Sequence, residues 1–545
     1  MVKGYFSAVS HLLIHLFSII MKRSTKTGDD LLNAFSQKIY LELPAPGQGD
    51  ITADRERLLQ GLEATFSPLA VSYKTYKKYA AVCRKADFRV TCTLVYAGTH
   101  WELTRIEAGD TTAQNYGLAV DLGSTTVIMQ SIDLNTGQVL AEKSRFNRQI
   151  DYGDEILSRI FYTKGRPDHL DELQASTVRT FCDLLDDLAA QTGIAPEAYS
   201  MMIVSGNTTM SHLFLGIDPW PIFEVPFTPM FNHTDFIPAD DLSLPTGGLV
   251  YCMPSAANYL GGDIISGLLA ARLDKQKKPS LFIDIGTNGE MVLGDENFMI
   301  AGAGAAGPAL EGGISKSGMK AGPGAIDHVS ITDGVLSCTT IDNAPPKGIC
   351  GSGIVDLLSE MLLNGWIDLS GKFNPDATDC IVPTEDGYAL RYADGEETAD
   401  GAPLFFNQTD ITQYLDTKAA ANTMVAYLLE AAGLGPEDID QVFIAGAFCA
   451  HINLEAAINI GLYPDLPAGR FTVLGNSSLT GARALLLDYT LFDTVGALQH
   501  NIQYLEFGAA SDFLTRMFAA RFLPHTDLSL YPTVRQRLKE RGVLR

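Results

Sequence analysis

The sequence lacks the cysteine clusters that bind zinc or iron–sulfur groups. Its eight cysteines among 545 residues include no C-x-x-C pair and no tight group, so their spacing predicts neither a zinc ribbon nor an iron–sulfur cluster. Residues 1–37 contain no cysteine at all. We therefore expect reduced thiols in a cytoplasmic protein.

Basic residues are scarce as well. The chain has 40 lysines and arginines against 64 aspartates and glutamates, which gives a formal net charge of −24. Such an excess of negative charge repels nucleic acids and anionic lipids over most of a protein surface. We therefore expect no nucleic-acid partner.

Long apolar runs are absent except near the N-terminus. The stretch YFSAVSHLLIHLFSII, residues 5–20, is shorter than the ~20 residues that a transmembrane helix needs. The sequence IIMKRSTK follows and does not provide the small-residue cleavage site of a signal peptide. We interpret residues 1–37 as an N-terminal extension of unknown role, with Met21 as an alternative start, and we expect no membrane anchor.

The rest of the chain is apolar enough to form several globular domains, and it is too long for a single core. Residues 38–115 contain a strand, a helix and the apolar segments FRVTCTLVYAG and HWELTRIEAGD, which predict a β-hairpin in a small α/β middle domain. From residue 116 onward, strands and helices alternate between Gly-rich loops. We predict two lobes there, residues 116–275 and residues 276–545 with the C-terminal elements.

Each predicted lobe contains a short polar turn after an apolar strand. Asp121 in LAVDLGSTTV and Asp284 in LFIDIGTNGE precede turns made of the following residues: Gly123, Ser124, Thr125 and Thr126 in the first copy, and Gly286, Thr287, Asn288 and Gly289 in the second. Small residues let backbone N–H groups approach anionic oxygens, and aspartates hold Mg²⁺ through water. A single turn of this kind is as typical of an ordinary hairpin as of a phosphate site, but two copies indicate a duplication. We therefore predict that both turns bind nucleotide phosphates and that Asp121 and Asp284 organise Mg²⁺.

A third segment carries the predicted nucleoside contact. QVFIAGAFCAHINLEAAINIGL, residues 441–462, runs from an apolar strand through Gly446 and Ala447 into a helix, for which Asn453 is the predicted N-cap. The small residues leave room for a flat ring, so Gly446 and Ala447 are predicted to flank adenosine. Neither the P-loop motif nor the Rossmann motif occurs in the chain.

The order of these segments resembles the actin-like ATPase superfamily, which includes acetate kinases, sugar kinases and heat-shock chaperone ATPases. A closer resemblance, to the reductive activators of corrinoid-dependent methyltransferases, extends from about residue 38 to near the C-terminus. It is carried by the motifs YGLAVDLGSTTV, NRQIDYGDEILSRI, DIGTNGEMVLG, AAGPALEGGISKSGMKAGPGAI and CGSGIVDLL. The resemblance implies an α/β protein: a two-lobed actin-like, ribonuclease H-like fold preceded by a small α/β domain, with ATP and Mg²⁺ between the lobes.

The resemblance also implies a function. Such activators use ATP to help return an inactive cob(II)alamin to cob(I)alamin on a corrinoid protein of a methyltransferase system. They usually begin with a [2Fe–2S] domain, whose cysteines residues 1–37 do not contain. We therefore expect no iron–sulfur cluster here and electrons from a separate ferredoxin-like donor; a homodimer is left open.

The sequence leaves the catalytic carboxylate and two other functions open. Where the family pattern has Gly, a small residue and Asp, this chain has Gly153, Asp154 and Glu155, so either acid could orient the catalytic water, with Asp284 as a further catalytic candidate. A small-molecule kinase of the acetate and sugar kinase superfamily would use Asp154 or Glu155 to take the proton of its acceptor. A non-redox, ATP-dependent chaperone of a corrinoid protein is the other alternative.

Overall fold

The computed structural model describes residues 20–22, 32–286, 289–304, 313, 315–385, 387–446, 452–507 and 512–544. The chain divides into two compact units. Unit 1 comprises Met1–Leu269 and Ser478–His500, and unit 2 comprises Ala270–Ser477 and Asn501–Arg545. Residues 478–500, which belong to the predicted second lobe in sequence order, thus pack with unit 1.

The described chain combines strands and helices, in keeping with the predicted α/β class. The strands are β1 (Ile20–Lys22), β2 (Ser36–Glu42), β3 (Leu69–Val71), β4 (Arg89–Tyr96), β5 (Trp101–Ala108), β6 (Tyr116–Leu122), β7 (Thr126–Asp133), β8 (Val139–Phe146), β9 (Tyr199–Gly206), β10 (Ile237–Pro238), β11 (Leu249–Cys252), β12 (Ser280–Ile285), β13 (Gly289–Gly294), β14 (Met299–Gly304), β15 (Ala325–Thr332), β16 (Val335–Thr340), β17 (Gly348–Ile349), β18 (Ile381–Thr384), β19 (Gly387–Ala393), β20 (Leu404–Asn407), β21 (Gln441–Ala445), β22 (Phe471–Gly475) and β23 (Ile502–Tyr504). The helices are α1 (Asp54–Leu62), α2 (Tyr73–Lys85), α3 (Ile156–Thr163), α4 (Pro167–Thr192), α5 (Thr208–Leu215), α6 (Trp220–Phe223), α7 (Gly262–Ala271), α8 (Gly351–Leu363), α9 (Gln408–Ala432), α10 (Leu454–Asn459), α11 (Ser477–Leu487), α12 (Phe492–Asn501), α13 (Phe513–Ala520) and α14 (Pro532–Glu540).

The N-terminal part of unit 1 is a five-stranded sheet in the order β1-β2-β4-β5-β3. The predicted hairpin is confirmed, because β4 and β5 pair antiparallel. Alternate residues of these strands, among them Val90, Leu94 and Leu103, lie in one apolar cluster with Leu58 and Leu62 of α1. Part of the predicted N-terminal extension joins this sheet, since β1 pairs antiparallel with β2.

The larger sheet of unit 1 has the order β10-β11-β9-β6-β7-β8. Its strands β6, β7 and β8 form an antiparallel meander, while β9 and β11 continue the sheet parallel to β6. Apolar residues of these strands pack against α4 and α5 in a second cluster. Because parallel strands align their carboxyl ends, the polar residues after β6 and β9 lie at one edge of the sheet.

Unit 2 repeats this arrangement in the sheet β22-β21-β12-β13-β14-β23. Here β12, β13 and β14 form the antiparallel meander, and β21 and β22 continue parallel to β12. Two three-stranded sheets, β16-β15-β17 and β18-β19-β20, complete the described strands of this unit. The shared five-strand topology supports the duplication that the two polar turns predict, and it is the α/β plan of the actin-like fold.

None of the described helices combines the length and the apolarity that crossing a bilayer requires.

Candidate functional site

The first polar turn links β6 to β7 at the edge of the larger sheet of unit 1. Gly123, Ser124, Thr125 and Thr126 are all half-buried. A Cβ atom on Gly123 would lie 2.5 Å from the carbonyl oxygen of Thr126, so only glycine fits this close backbone approach. The tight turn predicted from the sequence is therefore present, and its geometry depends on Gly123.

Asp121, near the end of β6, takes part in a hydrogen-bonded chain of hydroxyl groups. The Oγ of Ser478, in the first turn of α11, donates to Asp121 Oδ1 at 2.8 Å and lies 2.9 Å from Ser205 Oγ. Ser205 is the register partner of Asp121 on the parallel strand β9. The carboxylate is thus held in place by a segment that is 357 positions away in sequence.

A second acidic residue, Asp263, lies close to Asp121 and was not predicted. It is the second residue of α7, and its Oδ1 accepts a hydrogen bond from the Ile264 N–H at 2.9 Å. Burial, together with the negative charge of Asp121, raises the pKa of Asp263 to about 7. A carboxyl group with such a pKa can accept or release a proton near neutral pH.

Two glycines before Asp263 fix the start of α7. A Cβ atom on Gly261 would clash with the backbone of Asn207, and one on Gly262 would lie 2.5 Å from the Met253 carbonyl oxygen. In the sequence, only the pair of glycines in LGGDIISGLL could have pointed to Asp263. These glycines are required because of contacts with residues distant in sequence, which cannot be predicted from the sequence.

Asp154 and Glu155, the catalytic candidates from the sequence, are both exposed at the start of α3. Glu155 is the N-cap of that helix, and its backbone carbonyl accepts a hydrogen bond from Ser158 Oγ at 2.7 Å. Asp154 interacts electrostatically with Arg159. The acid that the structure brings beside Asp121 is Asp263, whose pKa the charge of Asp121 helps to raise.

The second polar turn joins β12 to β13 in unit 2. Asp284 is half-buried, and in the antiparallel register it lies directly opposite Glu290, which is buried. Side chains directly opposite each other in such a ladder share one face of the sheet, so Glu290 is a second acid that the sequence analysis missed. Gly286 and Gly289 flank this turn, whereas the predicted phosphate contacts Thr287 and Asn288 lie outside the described residues.

The predicted nucleoside strand lies next to this turn. β21 is parallel to β12, and Ala445 is the register partner of Asp284. Gly446 follows with φ +103°, and a Cβ atom there would clash with the Ile285 carbonyl and lie 3.2 Å from Asp284 Oδ1. Ala447 lies outside the described residues, and Asn453 is the N-cap of α10 as predicted, since its Oδ1 accepts from the Glu455 and Ala456 N–H groups.

The acidic side chains fit a hard divalent cation better than a zinc ion. No group of three or more His, Cys, Asp or Glu side chains with the spacing of a metal site occurs within the described part of the chain. Magnesium usually keeps several waters and takes only one or two carboxylates together with phosphate oxygens. Asp121 beside Asp263, and Asp284 opposite Glu290, provide two such small acidic groups.

Three family models match successive parts of the chain. Residues 30–113 match the RACo linker region, residues 116–276 the RACo middle region, and residues 278–535 the C-terminal domain of RACo, described as the ASKHA domain. Together they span almost the whole described chain.

The chain is also similar to individual proteins that are described as activators or reductases of corrinoid proteins. A solved structure described as a reductive activator for a corrinoid, iron–sulfur protein is 36% identical, with a TM-score of 0.84, and the match covers 94% of this chain and 83% of that one. A corrinoid activation enzyme, RamQ, of Eubacterium limosum is 31% identical over 68% of this chain and 64% of its own length. A [Co(II) methylated amine-specific corrinoid protein] reductase of Methanosarcina barkeri is 24% identical over 70% of this chain and 71% of its own. The match to RamQ thus spans just under two thirds of that relative.

Proposed function

Because the chain belongs to the RACo family of reductive activators, we propose that it is an ATP-dependent activator that returns a corrinoid protein from the cob(II)alamin to the cob(I)alamin state. The observation that carries the proposal is the similarity to the solved reductive activator over 94% of the chain at 36% identity. The two sheets of shared topology, each with an acidic residue before its polar turn, support ATP as the nucleotide.

We propose that the polar turns at 123–126 and 286–289 bind the phosphates of ATP and that Gly446 and Ala447 flank adenosine. Asp121 and Asp284 would hold Mg²⁺, with Asp263 and Glu290 as their acidic neighbours. The metal supplies charge neutralisation at the transferred phosphoryl group. Of the three candidate acids in unit 1, Asp263 is the one that we assign to orient the attacking water, because it lies beside Asp121, is fixed at the start of α7 by the Ile264 N–H, and has a raised pKa.

The reaction has two parts. One electron passes from a donor to cob(II)alamin and gives cob(I)alamin, while ATP and water give ADP and phosphate. Hydrolysis would assist the unfavourable reduction by changing how the corrinoid protein holds its cobalt. The affinity of the activator for the corrinoid protein would then depend on whether ATP or ADP is bound. The cysteines of this sequence are scattered, so we propose that the electron comes from a separate ferredoxin-like protein. We propose the cytoplasm as the location of the protein and its partners.

The test is direct reconstitution. The pure protein is mixed with a corrinoid protein of a methyltransferase system in the cob(II)alamin state, a low-potential reductant and Mg-ATP. We expect the absorption spectrum of cob(I)alamin to appear with ATP and to be absent without nucleotide. Failure with every cognate corrinoid protein would contradict the proposal, and a phosphorylated small molecule formed from ATP would favour the kinase alternative instead.

A further inference from the structure

A fully buried arginine lies behind the first polar turn of unit 1. Arg159, on α3, has no solvent exposure. Its guanidinium donates to the carbonyl oxygen of Ser124 at 2.7 Å, to that of Gly153 at 2.9 Å and to Gln149 Oε1 at 3.3 Å. It lies in the motif NRQIDYGDEILSRI, outside the set of residues proposed above to contact nucleotide or metal.

The charge of Arg159 is poorly compensated. Among the described residues no carboxylate forms an ion pair with it, and its hydrogen-bond acceptors there are all neutral. Burial lowers the pKa of Arg159 to about 10, although the charge of Asp154 acts in the opposite direction. A buried cation without a paired anion is costly, so the surroundings of Arg159 favour an incoming negative charge.

The segment that contains Arg159 also fixes the backbone of the turn. Three successive carbonyl oxygens are held from residues 147–159: Asn147 Nδ2 donates to Gly123 at 3.0 Å, Arg159 donates to Ser124, and the Asn147 N–H donates to Thr125 at 2.9 Å. In a planar trans peptide the carbonyl and the following N–H point in opposite directions. The N–H groups that follow the first two carbonyls, those of Ser124 and Thr125, therefore point away from this segment.

These N–H groups are available to a ligand. Neither has a hydrogen-bond acceptor among the residues that the structure describes. Successive backbone N–H groups that point to one side form a concave site for anions. The Ser124 and Thr125 N–H groups thus point away from residues 147–159, and the positive charge of Arg159 lies on the opposite side of the turn.

We propose that Arg159 is a positioning residue for phosphate at this turn: it fixes the Ser124 carbonyl, aims the following N–H groups at the phosphate, and supplies positive charge from behind. The inference rests on the proposed ATP binding and assigns one structural cause to it. Replacing Arg159 should therefore weaken the binding of ligands that carry phosphates and leave the binding of the nucleoside unchanged.

The test compares ATP and adenosine binding by calorimetry in R159Q and R159K. Hydrogen bonds from a charged donor contribute about 1.5–3 kcal/mol, so ATP affinity should fall about 10- to 150-fold in R159Q. R159K keeps the charge but not the planar fork, and it should show a smaller loss. Adenosine affinity should change by less than about twofold in both variants, because uncharged ligands do not use this turn.

Arg148 offers a matched control in the same segment. Its guanidinium pairs with Asp183 at 2.6 Å, away from the turn, and its side chain is 49% exposed. R148Q should therefore bind both ligands like the wild type. Circular dichroism and thermal unfolding show whether each variant is folded.

The outcomes separate the inference from the proposed function. A wild type that does not bind ATP would contradict the proposed function and this inference with it. A wild type that binds ATP beside an R159Q or R159K of unchanged ATP affinity would contradict the inference alone. Equal losses of ATP and adenosine affinity, or loss of the fold in both variants, would also overturn it, because Arg159 would then be a general stabilising residue.

Discussion

At the scale of single residues, the two equivalent aspartates have different neighbours. Asp121 is held by Ser478 and lies close to Asp263. Asp284 lies opposite Glu290 and near the backbone of Gly446. The sequence copies thus share the aspartate and the turn, while the surrounding groups differ. Substitutions at the two sites therefore test different parts of the proposed chemistry.

We expect D284A to reduce ATP hydrolysis about a hundredfold or more, because charge stabilisation provides most of the catalysis in phosphoryl transfer. The fold should be retained, with a thermal midpoint close to that of the wild type. D440A is the matched control: Asp440 precedes β21 at the opposite end of the same strand pair and forms a surface ion pair with Lys278. Hydrolysis at the parent rate in D284A, or a much lower thermal midpoint, would show that the second turn is structural.

We expect D263N to slow ATP hydrolysis about a hundredfold, in the range of general-base catalysis, with ATP affinity nearly unchanged. Asparagine keeps the oxygen that accepts from Ile264 but cannot take a proton. In the wild type, hydrolysis should fall as the pH drops below about 7, where Asp263 becomes protonated, and this dependence should vanish in D263N. Steady-state rates between pH 5.5 and 8.5 test this, with D241N, an exposed aspartate of unit 1, as the control. If D263N hydrolyses ATP at the parent rate, the prediction is wrong, and Asp154 or Glu155 would be the residue that orients the attacking water.

The sequence pattern selects some of the proposed site residues and not others. Asp121, Asp284 and Gly446 could be selected because strand, acid and small residues are contiguous in the sequence. Asp263 and Glu290 could not, because their importance comes from pairing across strands and from the glycine contacts at the start of α7. Arg159 is similar: a lone arginine on an amphipathic helix is expected to face solvent, and only the structure shows it fully buried.

At the scale of elements, the duplicated sheet was the most predictable feature. An apolar strand, a polar turn and a returning strand form a local pattern, and both copies pair as antiparallel meanders. The packing of residues 478–500 with unit 1 could not be predicted in this way. It depends on long-range bonds, such as the Ser478 hydroxyl to Asp121 and the Phe35 N–H to the Leu486 carbonyl at 3.0 Å.

Helix α5 carries a histidine that should make unit 1 sensitive to acid. His212 is fully buried. Its Nδ1 lies 2.8 Å from the Thr208 carbonyl, its Nε2 accepts from the Met230 N–H at 3.2 Å, and its ring stacks on Phe231. This arrangement requires the neutral ring, and burial lowers the pKa of His212 to about 4.

The sign of the effect follows from proton binding. Between pH 6.5 and 4 the unfolded chain binds a proton at His212 and the folded chain does not, so the free energy of unfolding falls as the pH drops through this window. The contribution is present in full above pH 6.5 and amounts to about 3.4 kcal/mol. Thermal unfolding should show a smaller loss at acid pH in H212Q than in the wild type. H500Q, which replaces an exposed histidine, should follow the wild type; parallel curves for H212Q and the wild type would contradict this prediction.

At the scale of the whole molecule, family membership and the two acidic turns together support an ATP-dependent activator. The match to a solved reductive activator covers both units, and the net charge of −24 fits a protein partner better than nucleic acid. The central claim is that ATP hydrolysis and cobalt reduction are coupled. A chaperone without a redox role would bind the same partner and hydrolyse the same nucleotide without changing the cobalt.

The most direct test is the yield of cob(I)alamin at a fixed, low reduction potential, measured by absorption with ATP, with a non-hydrolysable ATP analogue and without nucleotide. A corrinoid protein of a methyltransferase system is the acceptor, and D284A serves as the inactive comparison. The account predicts that cob(I)alamin accumulates only with ATP and the wild-type protein, in step with phosphate release. Equal yields with and without ATP, or ATP hydrolysis that leaves every cognate cob(II)alamin protein unreduced, would contradict it.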